Sequence, residues 1–354
     1  MLVTAQKTEA NHRPENVNPA LFGRDSKAEG KTREPVTLGE IRKAAVRIAP
    51  FIRRTPLFYD EGLSARFASN IYLKHELLQK TGAFKVRGAF NKMLTLGAEE
   101  KKRGIVAVSG GNHAQAVAFA ARSLGCRALI LMPEFTPENY IQKTRAYGAA
   151  VELFPTMAEA FERAGEYERQ GMIYIHPFDD QTVVAGQGTI GLEILEDLPQ
   201  VTDVIVSIGG GGLAGGISAA VKSLKPDVRI WGAETRGAES MKKALESGRI
   251  VELKKITSIA KTLGAPAVAP LTFELAKRHL SDVTVVSDEE TVEELFYLLD
   301  NNKVLTEPAT ACTLAAANRL RENFGPANHV VLILCGGNIG LGDLFDLRRK
   351  GEKV

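Results

Sequence analysis

The chain is poor in cysteine, and the few it has make no pattern. Cys126, Cys312 and Cys335 are odd in number and far apart, with no CxxC and no Cys/His spacing suited to zinc. A disulfide framework is excluded, and reduced thiols in a cytoplasmic protein are the simplest expectation. An excess of one charge is also missing. Lys and Arg number 45 against 42 Asp and Glu, a net charge of +3 over 354 residues. That leaves no electrostatic footprint for nucleic acid and no reason to expect a membrane surface as partner. No apolar run reaches the ~18 residues that a membrane-spanning helix needs. The start of the chain has no apolar signal segment, and Glu9 and Glu15 break the acid-poor pattern of a mitochondrial presequence. No repeat of fixed period and no linker is evident.

Glycine is what the chain has in excess: 33 residues, about 9% against a usual ~7%. Hydrophobic residues make up 44%, ample for a large core, and the length suggests two domains. Residues 1–35 are polar and mixed in charge, and read as a flexible N-terminal extension. Order begins at a capping box, Thr37 to Glu40, followed by Leu38, Ile41, Ala45 and Ile48 at helical spacing. Pro50 ends that helix. Short apolar runs then alternate with longer amphipathic ones. Strands are expected at Ile71–Leu73, Ile105–Val108, Ala128–Met132, Val151–Phe154, Val204–Ile208, Val228–Trp231, Val283–Val286 and Val330–Leu334. Helices are expected between them, as at Ala114–Leu124, Leu213–Leu224 and Thr291–Leu299. The alternation predicts an α/β fold with mainly parallel, buried sheets.

The glycines collect where strands end. Ile105–Val108 runs into Ser109-Gly110-Gly111-Asn112-His113, Val204–Ile208 into Gly209-Gly210-Gly211-Gly212-Leu213, and Val330–Leu334 into Cys335-Gly336-Gly337-Asn338. Ligands of open α/β sheets bind beyond the carboxyl ends of strands. Glycine there lets backbone N–H groups approach an anion, and a following helix adds partial positive charge. The second turn supports two readings. Gly210-x-Gly212-x-x-Gly215 fits a dinucleotide fingerprint, with Glu234 near the spacing of the ribose-binding acid, which would make a nucleotide-dependent oxidoreductase. Four consecutive glycines also form a wide bowl of donors suited to one terminal phosphate. Lys85 follows a glycine-containing turn and starts a helical stretch. A helix N-terminus destabilises an ammonium, and burial lowers its pKa further, as an amine nucleophile requires. The plain alternative is a surface lysine of a basic helix, with Lys80, Arg87 and Lys92 nearby.

The run from Gln79 to Gly88, QKTGAFKVRG, closely resembles the cofactor-lysine segment of fold-type II pyridoxal-phosphate enzymes. Threonine dehydratases, serine dehydratases and serine racemases are the groups it is most similar to. Further segments match in order: Ser109 to Gln115, Pro177 to Asp180 with Ala185 to Gly188, Gly209 to Leu213, and Glu307-Pro308 with Cys335 to Asn338. The similarity covers about residues 36–345. Ile256 to Gly264 and Cys335-Gly-Gly look most like the serine dehydratase branch, and the first half more like threonine dehydratases.

The resemblance implies a tryptophan synthase β-like fold with two open, mainly parallel twisted sheets flanked by helices. It implies a large cofactor-binding domain, 36–103 plus 177–354, and a small domain, 104–176, that closes over substrate. It implies pyridoxal phosphate held on Lys85 as a Schiff base, with Phe84 against the ring. Gly209, Gly210, Gly211, Gly212 and Leu213 would bind the phosphate, Asn112 the ring hydroxyl, and Glu307 would border the cofactor. Cys335 would face the pyridine nitrogen. Ser109, Gly110, Gly111, Asn112 and His113 would take the substrate carboxylate. The implied reaction is β-elimination of water from L-threonine or L-serine, giving a 2-oxo acid and ammonia. Elimination from 3-hydroxyaspartate or phenylserine and serine racemisation are the neighbouring alternatives. Family racemases carry serine at the position of Gly110, which argues against racemisation. Glu234 matches an acid of a cation site in several relatives, where a divalent or monovalent ion binds. Ser240 stands where that site normally has Asp, and a solvated strand end is the competing reading. A homodimer or homotetramer is implied. The chain ends soon after Gly342, so no C-terminal regulatory domain, and no isoleucine feedback through one, is expected.

Overall fold

The computed structural model describes residues 36–351; the expected extension, 1–35, lies outside them. Ten strands among the described residues form two sheets. The larger has the order β1 (Leu57–Tyr59), β2 (Asn70–Lys74), β10 (His329–Ile333), β7 (Asp203–Ser207), β8 (Arg229–Thr235), β9 (Asp282–Val286). The smaller has the order β5 (Ala150–Phe154), β4 (Ala128–Pro133), β3 (Ile105–Val108), β6 (Ile173–Tyr174). Every pairing is parallel except that of β1 with β2. The α/β expectation holds, and each expected strand is present within a few residues.

The physical reason is visible in burial. All residues of β3 and β7 are buried, and so are four of the five in β10. Strands covered by helices on both faces read as unbroken apolar runs. The two strands the sequence hides are short or half exposed. β1 is an antiparallel edge whose Phe58 and Tyr59 face solvent, and β6 has only two residues.

Helix α1 (Leu38–Ile48) starts at the expected capping box, with Glu40 N donating to Thr37 Oγ1 at 3.2 Å and Thr37 N to Glu40 Oε2 at 2.9 Å. Deeper in, α8 (Gln181–Asp197) is wedged between α3 (Val86–Leu94) and α9 (Gly212–Leu224). A Cβ on Gly186 would lie 2.7 Å from Gly88 Cα, and one on Gly188 would lie 2.9 Å from Gly216 O. These glycines therefore serve helix-to-helix approach. Part of the glycine excess thus belongs to packing and not to a ligand, although Gly186 and Gly188 sit in a motif segment.

The packing also places Lys85. Phe84 belongs to the core around the larger sheet, whereas Val86, Ala89, Phe90 and Met93 belong to the core around the smaller one. Lys85, the residue that caps α3, stands at the seam between the two cores.

Candidate active site

The ends of β2, β10 and β7, neighbours in the larger sheet, converge with the start of α3. Ala83 bridges to Gly336, Phe84 N donates to Cys335 O at 3.0 Å, and Gly337 N donates to Gly82 O at 2.9 Å. This backbone lacing fixes Lys85 beside the loop after β10. The Lys85 amine donates to Pro177 O at 2.9 Å and lies 5.2 Å from the centre of the Phe84 ring. Burial pulls its pKa down to about 8, with Cys335 acting weakly the other way. Lys85 is thus no surface lysine of a basic helix.

Arg87, which the sequence placed among basic neighbours, is fully buried. Its guanidinium donates to Glu76 Oε2 at 2.8 Å and Oε1 at 2.7 Å, and to Glu193 Oε1 at 2.6 Å and Oε2 at 2.9 Å. Lys74 Nζ donates to Glu193 Oε2 at 2.6 Å and to Thr55 O at 2.7 Å. Burial pushes the Glu193 carboxyl up, but Arg87 and Lys74 outweigh it and hold it below the usual range. Two cations and two anions thus anchor the first turn of α3. Nothing in the sequence marks Glu193, which lies in α8 far along the chain.

The glycine bowl lies between β7 and α9. Among the described residues, no backbone N–H from Gly209 to Leu213 donates to a protein acceptor. Gly211, with φ +90°, caps α9 in a conformation that favours glycine. A Cβ on Gly210 would lie 2.2 Å from the Phe178 ring, so the bowl closes tightly over the residue next to Pro177. Free donors at a helix N-terminus behind a glycine turn fit a terminal phosphate.

Cys335 lies two residues beyond β10. Ser207 Oγ lies 3.4 Å and Thr310 Oγ1 3.2 Å from its Sγ. Burial, with Glu307 adding to it, pushes the thiol up to about 12, so it is neutral at any physiological pH. Asn112 Nδ2 donates to Glu307 Oε1 at 2.7 Å, and Asn338 Nδ2 donates to Asn112 Oδ1 at 2.8 Å. Burial raises the Glu307 carboxyl to about 7 against the lowering effect of that Asn112 bond.

The glycine turn that begins at Ser109 opens α5 (Asn112–Ser123). Gly111 N donates to Ser109 Oγ at 3.1 Å. The N–H groups of Gly110, Asn112 and His113 have no protein acceptor among the described residues. The His113 ring is turned inward, with Nε2 donating to Ile175 O at 2.9 Å. Burial, aided by Lys85, holds its pKa down to about 3, so the ring is neutral and Nδ1 is bare. His113 therefore offers its backbone to the loop, not a cationic side chain. The turn Lys261–Leu263 reaches across: Thr262 Cγ2 would lie 3.3 Å from a Cβ on Gly111, and Leu263 Cα 3.0 Å from one on Gly209. The matched sequence motifs are thus gathered around one amine.

Glu234 stands elsewhere. It is fully buried, with Oε1 accepting from Met241 N and Oε2 from Lys242 N, both at 2.8 Å. It holds the start of α10 (Ser240–Ser247), and burial raises its pKa to about 8. That corrects the solvated-strand-end reading. It also removes the ribose-binding acid from the nucleotide reading, because the carboxylate is fully buried and turned to the start of α10. No group of three His, Cys, Asp or Glu suited to a metal occurs among the described residues.

Buried polar atoms without a partner cluster in the crevice: Thr81 Oγ1, His113 Nδ1, Thr136 Oγ1, Thr306 Oγ1 and Glu307 Oε2. Other buried atoms, among them Ser240 Oγ, Asn302 Oδ1 and both polar atoms of Gln115, also lack partners, so it is the convergence on the glycine loops that signals a ligand. With the donor bowl and the lowered lysine, it fits pyridoxal phosphate. Comparison with known proteins agrees. Residues 48–336 match the model of the family described as pyridoxal-phosphate dependent enzyme. An L-threonine ammonia-lyase of Thermotoga maritima is 42% identical, over 89% of this chain and 79% of its own. A solved maize serine racemase superimposes with a TM-score of 0.84 at 32% identity, covering 90% of this chain and 99% of that one. The processed form of threonine deaminase isoform 2 from Solanum lycopersicum gives 0.82 at 33% identity, covering 89% and 95%.

Proposed function

We propose that the crevice eliminates water from L-threonine or L-serine, and the premise is that this chain belongs to the pyridoxal-phosphate dependent enzyme family. The observation that carries the reading is the Lys85 amine, held at the Pro177 carbonyl with its pKa lowered to about 8. Joined to that amine, the cofactor supplies a sink for the electrons of the bond broken at Cα. The free N–H groups of Gly209, Gly210, Gly211, Gly212 and Leu213 hold its phosphate, and Phe84 and Asn112 border its ring. Ser109 to His113 bind the substrate carboxylate through the loop and the first turn of α5. With substrate seated there, the Lys85 amine would take the Cα proton at Nζ. The neutral Cys335 thiol is a weak donor where a carboxylate would hold a ring nitrogen protonated. That arrangement would favour loss of the β-hydroxyl, which leaves as water with the proton that Lys85 carries.

Residues 104–176, which carry the smaller sheet and the Ser109–His113 loop, act in this reading as a lobe closing on the larger one. Gly110 supports elimination over racemisation, since it has no side chain to deliver a proton. The unpaired cysteines support a reducing, cytoplasmic setting, and the family resemblance supports a homodimer or homotetramer. A substrate panel with 2-oxo acid detection tests the reading. L-threonine or L-serine is expected to outpace 3-hydroxyaspartate and phenylserine, with unused serine remaining L. A preference for either of the latter two, or D-serine in the remainder, overturns it.

A further inference from the structure

Thr136 lies in the turn between β4 and α6 (Glu138–Ala146), where its N–H donates to Pro133 O at 2.9 Å. The residue is 7% exposed, and its hydroxyl has no hydrogen-bond partner among the described residues. A buried hydroxyl left unpaired is unfavourable, so it calls for a partner that arrives with a ligand. Its direction is given by Gly110. A Cβ built there would lie 2.6 Å from Thr136 Oγ1 and 3.5 Å from Pro133 Cδ. The hydroxyl therefore occupies the space that a side chain at position 110 would fill. That space adjoins the free N–H groups of Gly110, Asn112 and His113 at the start of the twelve-residue α5. Ser109 Oγ is turned back to accept from Gly111 N.

We propose that Thr136 is a further substrate-binding residue, its hydroxyl donating to the amino-acid carboxylate seated at the start of α5. The groups that converge there are donors, so the ligand they suit is an anion and not the β-hydroxyl. The inference rests on the amino-acid reading given above and adds a residue outside its motifs. A glycine at 110 leaves room for the threonine hydroxyl, and the two positions act as a pair.

The test uses the holoenzyme and glycine as probe. Glycine has the amine and carboxylate but no leaving group, so binding is read from the cofactor's visible absorption without turnover. Thr136→Val removes the hydroxyl at nearly constant shape. It should raise the glycine dissociation constant about tenfold or more, as loss of a hydrogen bond to a charged group predicts. Thr136→Ser should stay within about threefold. The absorption before glycine is added should be unchanged in both. Gly110→Ala, which must displace the hydroxyl, should weaken glycine in the same direction and keeps the test open if Thr136→Val melts. A wild type that responds to glycine while Thr136→Val matches it overturns the proposal alone. A wild type without cofactor absorption, or unresponsive to glycine, overturns the amino-acid reading and this proposal with it.

Discussion

Two buried polar regions meet at the start of α3, and they are built in opposite ways. Behind Lys85, Arg87 and Lys74 face Glu76 and Glu193, and every charge is paired. In front of it, Thr81, His113, Thr136, Thr306 and Glu307 each keep a buried polar atom without a partner. A satisfied network rigidifies and specifies a fold, whereas an unsatisfied one is tolerated where a ligand completes it. Lys85 sits where the two meet. One side fixes the helix that carries it, and the other leaves its amine among buried polar atoms without protein partners.

The sharpest way to break that contrast is at Arg87. Arg87→Met leaves Glu76 buried without its cation and Glu193 with Lys74 alone, which should destabilise the fold by ~3–5 kcal/mol. Thermal melting of the apoprotein reads this. Loss of activity with an unchanged melting temperature would place Arg87 in the front region instead. Glu307→Gln is the mirror experiment. Its carboxyl lies in the unsatisfied region, so the apoprotein should melt within about 2 °C of wild type. kcat/KM should fall ~10–100-fold, the scale for losing an outer partner that orients a bound group. A large drop in melting temperature with activity kept in the folded fraction would erase the distinction.

The smallest effect is a pH dependence. Cofactor capture needs the neutral amine of Lys85. Burial lowers its pKa to about 8, so the neutral fraction grows as pH rises and is nearly complete above it. An ordinary lysine, near ~10.4, reaches that state only at far higher pH. The rate of reconstitution of apoprotein with pyridoxal phosphate should therefore rise with pH and level off above about 8. A rate still climbing beyond pH 10 would mean that the front region does not desolvate the amine.

The front region was largely legible in the sequence, and the back region was not. Strand-end glycine turns announce themselves because they follow apolar runs, and QKTGAFKVRG sets Lys85 at a helix start. Arg87 and Glu193 gave no such sign. A buried ion pair looks like any exposed one until the fold brings together a residue of α3 and one of α8. Thr136 was equally silent, since a threonine before proline in a turn has no local mark of a site. Glycine misled in part. Gly186 and Gly188 share motifs with ligand-facing residues, yet they let α8 approach Gly88 and Gly216. Glu234 misled as a ribose-binding acid: its spacing suited that role, whereas the fold buries it and turns both oxygens to the start of α10. The edge strands β1 and β6 were hidden by exposure and brevity.

The central claim is that Lys85 carries the cofactor between these two regions. Borohydride treatment of purified protein, followed by peptide mapping, tests it most directly. The account predicts a yellow protein whose visible band is abolished on reduction, with the added cofactor mass on the peptide containing Lys85 and none in Lys85→Ala. A colourless protein, or a label on any other lysine, would contradict it.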